Sequence, residues 1–205
     1  MLMTLLTRRK FVAGLGAGAF AMSLRPLVAA SPRRGLTFGF STYGMKTLKT
    51  EEAIEVLAGI GFDSVELNVR DGWDADSVSL SALRRKTIRT ALADQGLLLS
   101  GLMEKLKNTD KLSDHQWSLG RIRLAGELGR DLSPAHQPLI QSTLTGKRWD
   151  DMKDIYLRQL EDWVKVAEQV KTVVAIKPHR GGALSRPREA VWLIEKLGQP
   201  KWLRI

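Results

Sequence analysis

Residues 173–199 read VVAIKPHRGGALSRPREAVWLIEKLGQ, and three signals meet in this span. A β-branched run, Val173 to Ile176, ends in the polar cluster Lys177-Pro178-His179-Arg180. Gly181-Gly182 then turns the chain toward a helix whose buried face is Ala190, Leu193, Ile194 and Leu197. Strand, loaded turn and helix make one unit of a parallel α/β fold. Side chains alternate along a strand, so with Val174 and Ile176 toward covering helices, Lys177 and His179 share the opposite face with Ala175. The C-terminal ends of strands are where such folds keep their sites.

The same unit recurs upstream. Leu36–Ser41 is a first strand, and Thr50-Glu51-Glu52 opens a helix with a cap and an acidic first turn. Ala53, Ile54, Leu57, Ala58 and Ile60 form its stripe, and Gly61 stops it. In Asp63–Val69, Val65, Leu67 and Val69 alternate with Ser64, Glu66 and Asn68, the pattern of a second strand. A helix over 80–95 ends at Gly96, and Leu97–Met103 reads as a third strand; residues 105–112 have loop composition before the next helix. His136–Thr143 alternates loosely as a fourth strand. Met152, Tyr156, Leu160, Trp163, Ala167 and Val170 mark one face of a long helix. Trp202-Leu203-Arg204-Ile205 begins a sixth strand. Five βα units and the start of another imply a parallel sheet with right-handed crossovers, either a (β/α)₈ barrel or a doubly wound sheet.

At 205 residues with 43% hydrophobic content, the chain supports a sizeable core. Its 32 basic and 22 acidic residues leave a formal charge of +10. Arg8, Arg9, Lys10 and Arg25 lie in the first 30 residues, and without them the balance is 28 to 22. That excess is scattered. Its densest cluster, Arg84-Arg85-Lys86 with Arg89, belongs to a helix face in solvent, which argues against a nucleic-acid partner. With no cysteine, disulfides, thiolate chemistry and sulfur-held zinc are excluded.

Thr7-Arg8-Arg9-Lys10-Phe11-Val12 precedes a Gly-diluted apolar run, Ala13 to Leu24, and then Val28-Ala29-Ala30. This resembles a twin-arginine export signal over residues 1–30. The resemblance implies an export-machinery partner, a periplasmic or cell-envelope destination, and a folded domain over residues 31–205.

Parity places Glu66 and Asn68 on the inner face of the second strand, with Glu66 the leading catalytic candidate. On the third strand it pairs Ser100 with Glu104, opposite Leu99 and Met103. Lys177 and His179 suit anion or hydroxyl binding, and His179 also suits proton transfer or metal ligation. His115 and His136, at the starts of a helix and a strand, read as surface or capping residues. Gly181-Gly182 lacks the GxGxxG spacing of a dinucleotide site.

Gly61-Phe62-Asp63-Ser64-Val65-Glu66-Leu67 after the first helix, with AIKPHRGGALSRPREAVWLIEKLG later, resembles the xylose-isomerase-like barrel superfamily. That group spans sugar (phosphate) isomerases and epimerases and the apurinic endonuclease IV type. The resemblance implies a (β/α)₈ TIM barrel, here partial, with about five βα units plus the start of a sixth strand. It implies a divalent ion (Mn, Mg, Co or Zn) that assists proton transfer on a sugar or sugar phosphate. The pattern departs from the family at Lys177, where a carboxylate is usual, and the later ligand motif would fall after Ile205, so the metal ligands are unknown. The expectation is an incomplete barrel without turnover, with Glu66, Lys177 and His179 as catalytic candidates and Asn68, Glu104 and Arg180 as substrate-binding ones. Metal-free carbohydrate binding is the alternative and endonuclease chemistry a third reading. An unclosed sheet edge adds the expectation of self-association.

Overall fold

The computed structural model describes residues 36–205, so the expected export signal lies outside the described residues. Six strands form one parallel sheet in chain order: β1 (Gly39–Ser41), β2 (Ser64–Asn68), β3 (Leu98–Met103), β4 (Leu139–Ser142), β5 (Val174–Ile176) and β6 (Leu203–Arg204). Five α-helices alternate with them: α1 (Thr50–Ile60), α2 (Ala82–Gln95), α3 (Leu112–Leu132), α4 (Trp149–Gln169) and α5 (Pro187–Lys196). Each helix packs beside the next around one face of the sheet.

This arrangement separates the two architectures that periodicity left open. A doubly wound sheet reverses its strand order and carries helices on both faces. Here the order never reverses. The inner face also leaves Leu98 and Leu139 exposed, while Val65, Leu67, Leu99, Leu102, Ile140, Val174 and Ile176 are buried under the helices. The fold is therefore a partial (β/α)₈ arrangement. Among the described residues, β1 and β6 each have one strand neighbour.

The helices form where the sequence stripes them. Tyr156, Leu160, Trp163, Ala167 and Val170 of the stripe along α4 are buried, with Trp163 among the largest side chains shut from solvent. Gly61 and Gly96 end α1 and α2 in left-handed conformation, φ 103° and 65°, which costs a residue without Cβ little. Ser81 caps α2 by accepting from the Arg84 amide at 3.3 Å. The first strand is shorter than expected and starts at Gly39 rather than Leu36. Before it, Phe38 ties into the Asp63 turn, its amide donating to Asp63 Oδ2 at 3.0 Å.

The third strand corrects its expected parity. Pairing jumps from Val65↔Leu99 to Glu66↔Gly101, so Ser100 is an extra residue. Its hydroxyl donates to the Val65 carbonyl at 3.1 Å. Beyond this bulge the faces exchange. Met103 joins Asn68 on the inner face, and Glu104 follows Leu102 toward the helices.

Candidate functional site

The loops leaving the C-terminal ends of β2 and β3, with the start of α3, build a cavity of about 630 Å³ whose lining includes Trp73 and Trp117. The first wall comes from the loop between β2 and α2. Two successive turns, Trp73 N to Arg70 O at 3.1 Å and Asp76 N to Trp73 O at 3.0 Å, hold the indole in place. Tyr43 stacks on Trp73 with ring centres 5.8 Å apart, Lys46 lies 5.5 Å over the same indole, and Arg70 lies 5.1 Å over the Tyr43 ring. Arg70 Nε has no protein hydrogen-bond partner although it is shut from solvent. Asp74 anchors this loop to α1 and α2, accepting from the Thr50 amide at 2.8 Å and from Arg84. Burial alone would raise the Asp74 carboxyl, but Arg84 and Thr50 hold it well below the usual carboxylate range.

The second wall stands on a buried ionic knot. Arg121 of α3 donates through Nε to Glu104 Oε2 at 2.8 Å and through a terminal nitrogen to Asp76 Oδ1 at 2.7 Å, and it also reaches the Val69 carbonyl. Glu104 Oε1 accepts the Lys105 amide at 2.8 Å. Burial lifts the Glu104 carboxyl above its ordinary range against the pull of Arg121. Burial likewise works against the Arg121 charge, yet Glu104 and Asp76 hold that guanidinium above its usual value. Trp117 sits under two cations, Lys107 at 4.7 Å and Arg121 at 5.6 Å. The Lys107 loop is clamped to α3 by Ser118, whose hydroxyl accepts the Lys107 amide at 2.8 Å and donates to its carbonyl at 3.0 Å. Two indoles line the cavity, with Arg70, Lys105 and Lys107 as donors and Asp71 as an acceptor. Flat aromatic surfaces with a few convergent polar groups suit a small polyhydroxylated ligand.

Of the six candidates read from the sequence, Glu66, Asn68, Glu104, Lys177, His179 and Arg180, only Glu104 lines this cavity. Asn68 closes β2 on the inner face, fully buried, with its amide nitrogen 3.7 Å from Met103 Sδ and its Oδ1 accepting the Arg70 amide at 3.3 Å. Glu66, the leading catalytic candidate, does not reach the strand's C-terminal end. It is the middle residue of β2, paired with Gly101 and one inward-facing position below Asn68. Glu104 lines the cavity but is committed to Arg121. Lys177 continues the β5 ladder, its amide donating to the Ser142 carbonyl at 2.9 Å, and its side chain is exposed. His179 and Arg180 are exposed on the following turn, where the His179 amide donates to the Leu184 carbonyl at 2.9 Å. His115, in the first turn of α3, has Nε2 3.0 Å from Asp162 Oδ2 of α4, outside this mouth. Trp73, Arg70 and Lys107 escape motif reading because they lie in loops without periodicity, and Trp117 because it sits in the second turn of α3 away from that helix's buried stripe. Their one signal is tryptophan beside charge, in Arg70-Asp71-Gly72-Trp73 and in Trp117 four residues before Arg121.

No protein-family model matches the sequence, and no curated protein matches it. The comparison that does succeed is structural. The 3-keto-D-glucoside 4-epimerase YcjR from E. coli aligns with a TM-score of 0.65 at 13% identity, over 82% of this chain and 66% of that one. The fold is that of part of a TIM barrel, similar to the barrels of xylose isomerase-like proteins. A xylose isomerase-like barrel from Mycobacterium smegmatis in complex with magnesium aligns at TM-score 0.62 and 14% identity, over 82% of this chain and 62% of that one. The IolI protein with a bound zinc atom gives 0.64 and 11%, over 82% and 61%. The chain thus spans 61–66% of the length of these barrels.

Two of these barrels hold a divalent ion. Among the described residues of this chain, no three His, Asp or Glu side chains converge on a point that could hold one. Divalent ions of this kind take several carboxylate or imidazole ligands. Lys177 and Arg180, both cations, stand at the β5 end of this barrel instead. The described residues do not by themselves fit the ion.

Proposed function

We propose that this barrel binds a small sugar between Trp73 and Trp117 and serves sugar isomerisation or epimerisation by proton transfer. The observation that carries the reading is the cavity itself: two indoles line it, and the occluded Arg70 Nε beside it lacks a protein partner. A buried donor without a partner is costly unless a ligand or water meets it. The C–H face of a sugar ring packs on an indole, while its hydroxyls take donors from Arg70, Lys105 and Lys107 and acceptors from Asp71. The epimerase among the structural neighbours supports sugar chemistry on this fold.

In such a reaction a C–H bond next to a carbonyl breaks, the proton passes to a base, and the electron pair moves onto the carbonyl oxygen as an enediolate. The proton then returns to the opposite face of the same carbon or to its neighbour. Lys105 and Lys107 supply positive charge for that oxyanion. His179 and Lys177, exposed at the same end of the strands, are the proposed proton carriers, and Glu66 lies deeper on the inner face. Ligand-detected NMR against a panel of ketoses and aldoses tests the binding step. Trp73→Ala should weaken the sugar that binds by about tenfold, as loss of about 1–2 kcal/mol of ring stacking implies. Unchanged affinity in both Trp73→Ala and Trp117→Ala would place the sugar elsewhere and refute the reading.

A further inference from the structure

Four arginines among the described residues are mostly shielded from solvent: Arg70, Arg84, Arg85 and Arg121. Three of them meet carboxylates. Arg84 reaches Glu51 and Asp74, Arg85 reaches Asp131 at 2.8 Å, and Arg121 reaches Glu104 and Asp76. Arg70 is the exception. Among the described residues no carboxylate lies within ion-pair distance of its guanidinium, and Nε is shut from solvent without a hydrogen-bond partner. A shielded cation without a counter-charge is costly, and proteins pair such groups.

Arg70 lines the tryptophan cavity, and the turn that carries it also carries Trp73. The Trp73 amide donates to the Arg70 carbonyl at 3.1 Å, and the Arg70 amide donates to Asn68 Oδ1 at 3.3 Å. The backbone therefore fixes the cation's anchor beside the indole. Tyr43, with its ring centre 5.1 Å from the guanidinium, attracts the cation but does not neutralise it. The other charges of the lining are unequal to that task. Glu104 is held by Arg121, and Lys107 is paired with Asp114 at 3.2 Å. What remains is Arg70 and Lys105 against the exposed Asp71. A water or a sugar hydroxyl would meet one N–H and leave the surplus charge where it is. A carboxylate supplies the charge together with two coplanar oxygens, the acceptor pair that matches an edge of a guanidinium.

We infer that the tryptophan cavity takes a uronate, a sugar whose terminal carbon is a carboxylate, with that carboxylate on Arg70 and the sugar ring against Trp73. The inference rests on the sugar reading above and narrows its ligand: the group that Arg70 meets is a carboxylate rather than a hydroxyl. Lys105 adds a second positive charge to the lining, and Asp71 remains as an acceptor for the ring hydroxyls.

The test is calorimetric titration of the full chain at fixed ionic strength with three pairs of sugars that differ only at the terminal carbon: glucose and glucuronate, galactose and galacturonate, mannose and mannuronate. Acetate and glucose 6-phosphate are titrated beside them. In at least one pair the uronate should bind about tenfold or more tightly than its neutral partner, as a charge-assisted hydrogen bond implies. Arg70→Gln should remove that margin and leave the neutral sugar's affinity within about twofold. Arg70→Lys keeps the charge without the fork and should restore only part of the margin; it also carries the comparison if Arg70→Gln lowers Tm. Equal affinity of sugar and uronate in every pair overturns the inference, as does a margin that both Arg70 variants retain in full. Glucose 6-phosphate held more tightly than glucuronate, or acetate held as tightly as the uronates, would overturn it too. Neutral sugars that bind in a Trp73-dependent way without preference for the uronate would sink the carboxylate assignment and leave the sugar reading standing. Uronates that need Arg70 but bind equally well to Trp73→Ala and Trp117→Ala would do the reverse, and a protein that binds none of these compounds refutes both.

Discussion

Arg121→Met tests the ionic knot behind the second tryptophan wall. Arg121 is 3% exposed and bridges Glu104 and Asp76, themselves 1% and 6% exposed. Methionine roughly preserves the volume but leaves two buried carboxylates without their cation. Removing one partner of a buried ion pair costs about 3–5 kcal/mol, because the charge left behind is uncompensated. For a domain of this size that corresponds to a fall in Tm of roughly 6–20 °C. The pH dependence is a sharper signature. Glu104 is raised by burial in the wild type, so its contribution to stability is complete below the ordinary carboxyl range and is lost as pH rises through its folded value. Without the Arg121 charge that folded value climbs further. The deficit of the variant should therefore be largest near about pH 7 and shrink toward about pH 4, where protonation removes the orphaned charges. Urea unfolding across this range reads both effects, and Glu104→Gln in the Arg121→Met background should recover part of the loss at neutral pH. A deficit under about 1 kcal/mol, or one independent of pH, would refute the assignment of Arg121 as the cation that makes this burial tolerable.

Two glycines of α3 give opposite expectations. Nothing lies within 4 Å of a Cβ placed at Gly120, so Gly120→Ala should gain about 0.5–1 kcal/mol of helix propensity, read as a higher urea midpoint. At Gly126 a Cβ would fall 2.6 Å from Val170 Cγ2 and 2.9 Å from Val170 Cβ. The overpacking cost of about 1–3 kcal/mol then outweighs the propensity gain, and a stabilised Gly126→Ala would show that α3 and the end of α4 are not in this contact. Asp74→Asn should cost about 2 kcal/mol at neutral pH by weakening the bonds to Arg84 and Thr50. Because the Asp74 carboxyl is held low, its contribution is present above the ordinary carboxyl range and fades as pH falls through its folded value, so wild type and variant should converge in strong acid. Acid titration of Tm for the two proteins checks this, and parallel curves would contradict it.

Much of the fold was legible in the chain because local chemistry and tertiary role agree there. Thr50-Glu51-Glu52 opens α1, Gly61 and Gly96 close α1 and α2, and the stripe from Tyr156 to Val170 is buried as its spacing demands. The choice between barrel and doubly wound sheet was not legible from periodicity, since it depends on which strands are neighbours. The family resemblance of the segments around Glu66 and Lys177 supplied what periodicity lacked. Parity failed at one identifiable place. The Leu97-Leu98-Leu99 run is apolar at every position, so alternation cannot reveal an extra residue, and the bulge at Ser100 exchanges the faces of Met103 and Glu104.

The same slip explains why the candidate site was only half readable. Alternation along a strand predicts direction, and it placed Asn68 on the inner face; it does not predict depth or what a neighbouring helix supplies. Glu104 reads from the sequence as a substrate ligand, yet once the bulge turns it toward α3 its carboxylate meets Arg121, seventeen residues later in the chain. Its work is then to hold Arg121, and with it the cation that lies over Trp117. The residues that face the cavity come instead from loops: Trp73 is fixed by two backbone turns and the Lys107 segment by one serine hydroxyl. A loop's conformation depends on such tertiary hydrogen bonds rather than on a repeat, so the chemistry of this mouth becomes visible only when the strands have set the loop ends side by side.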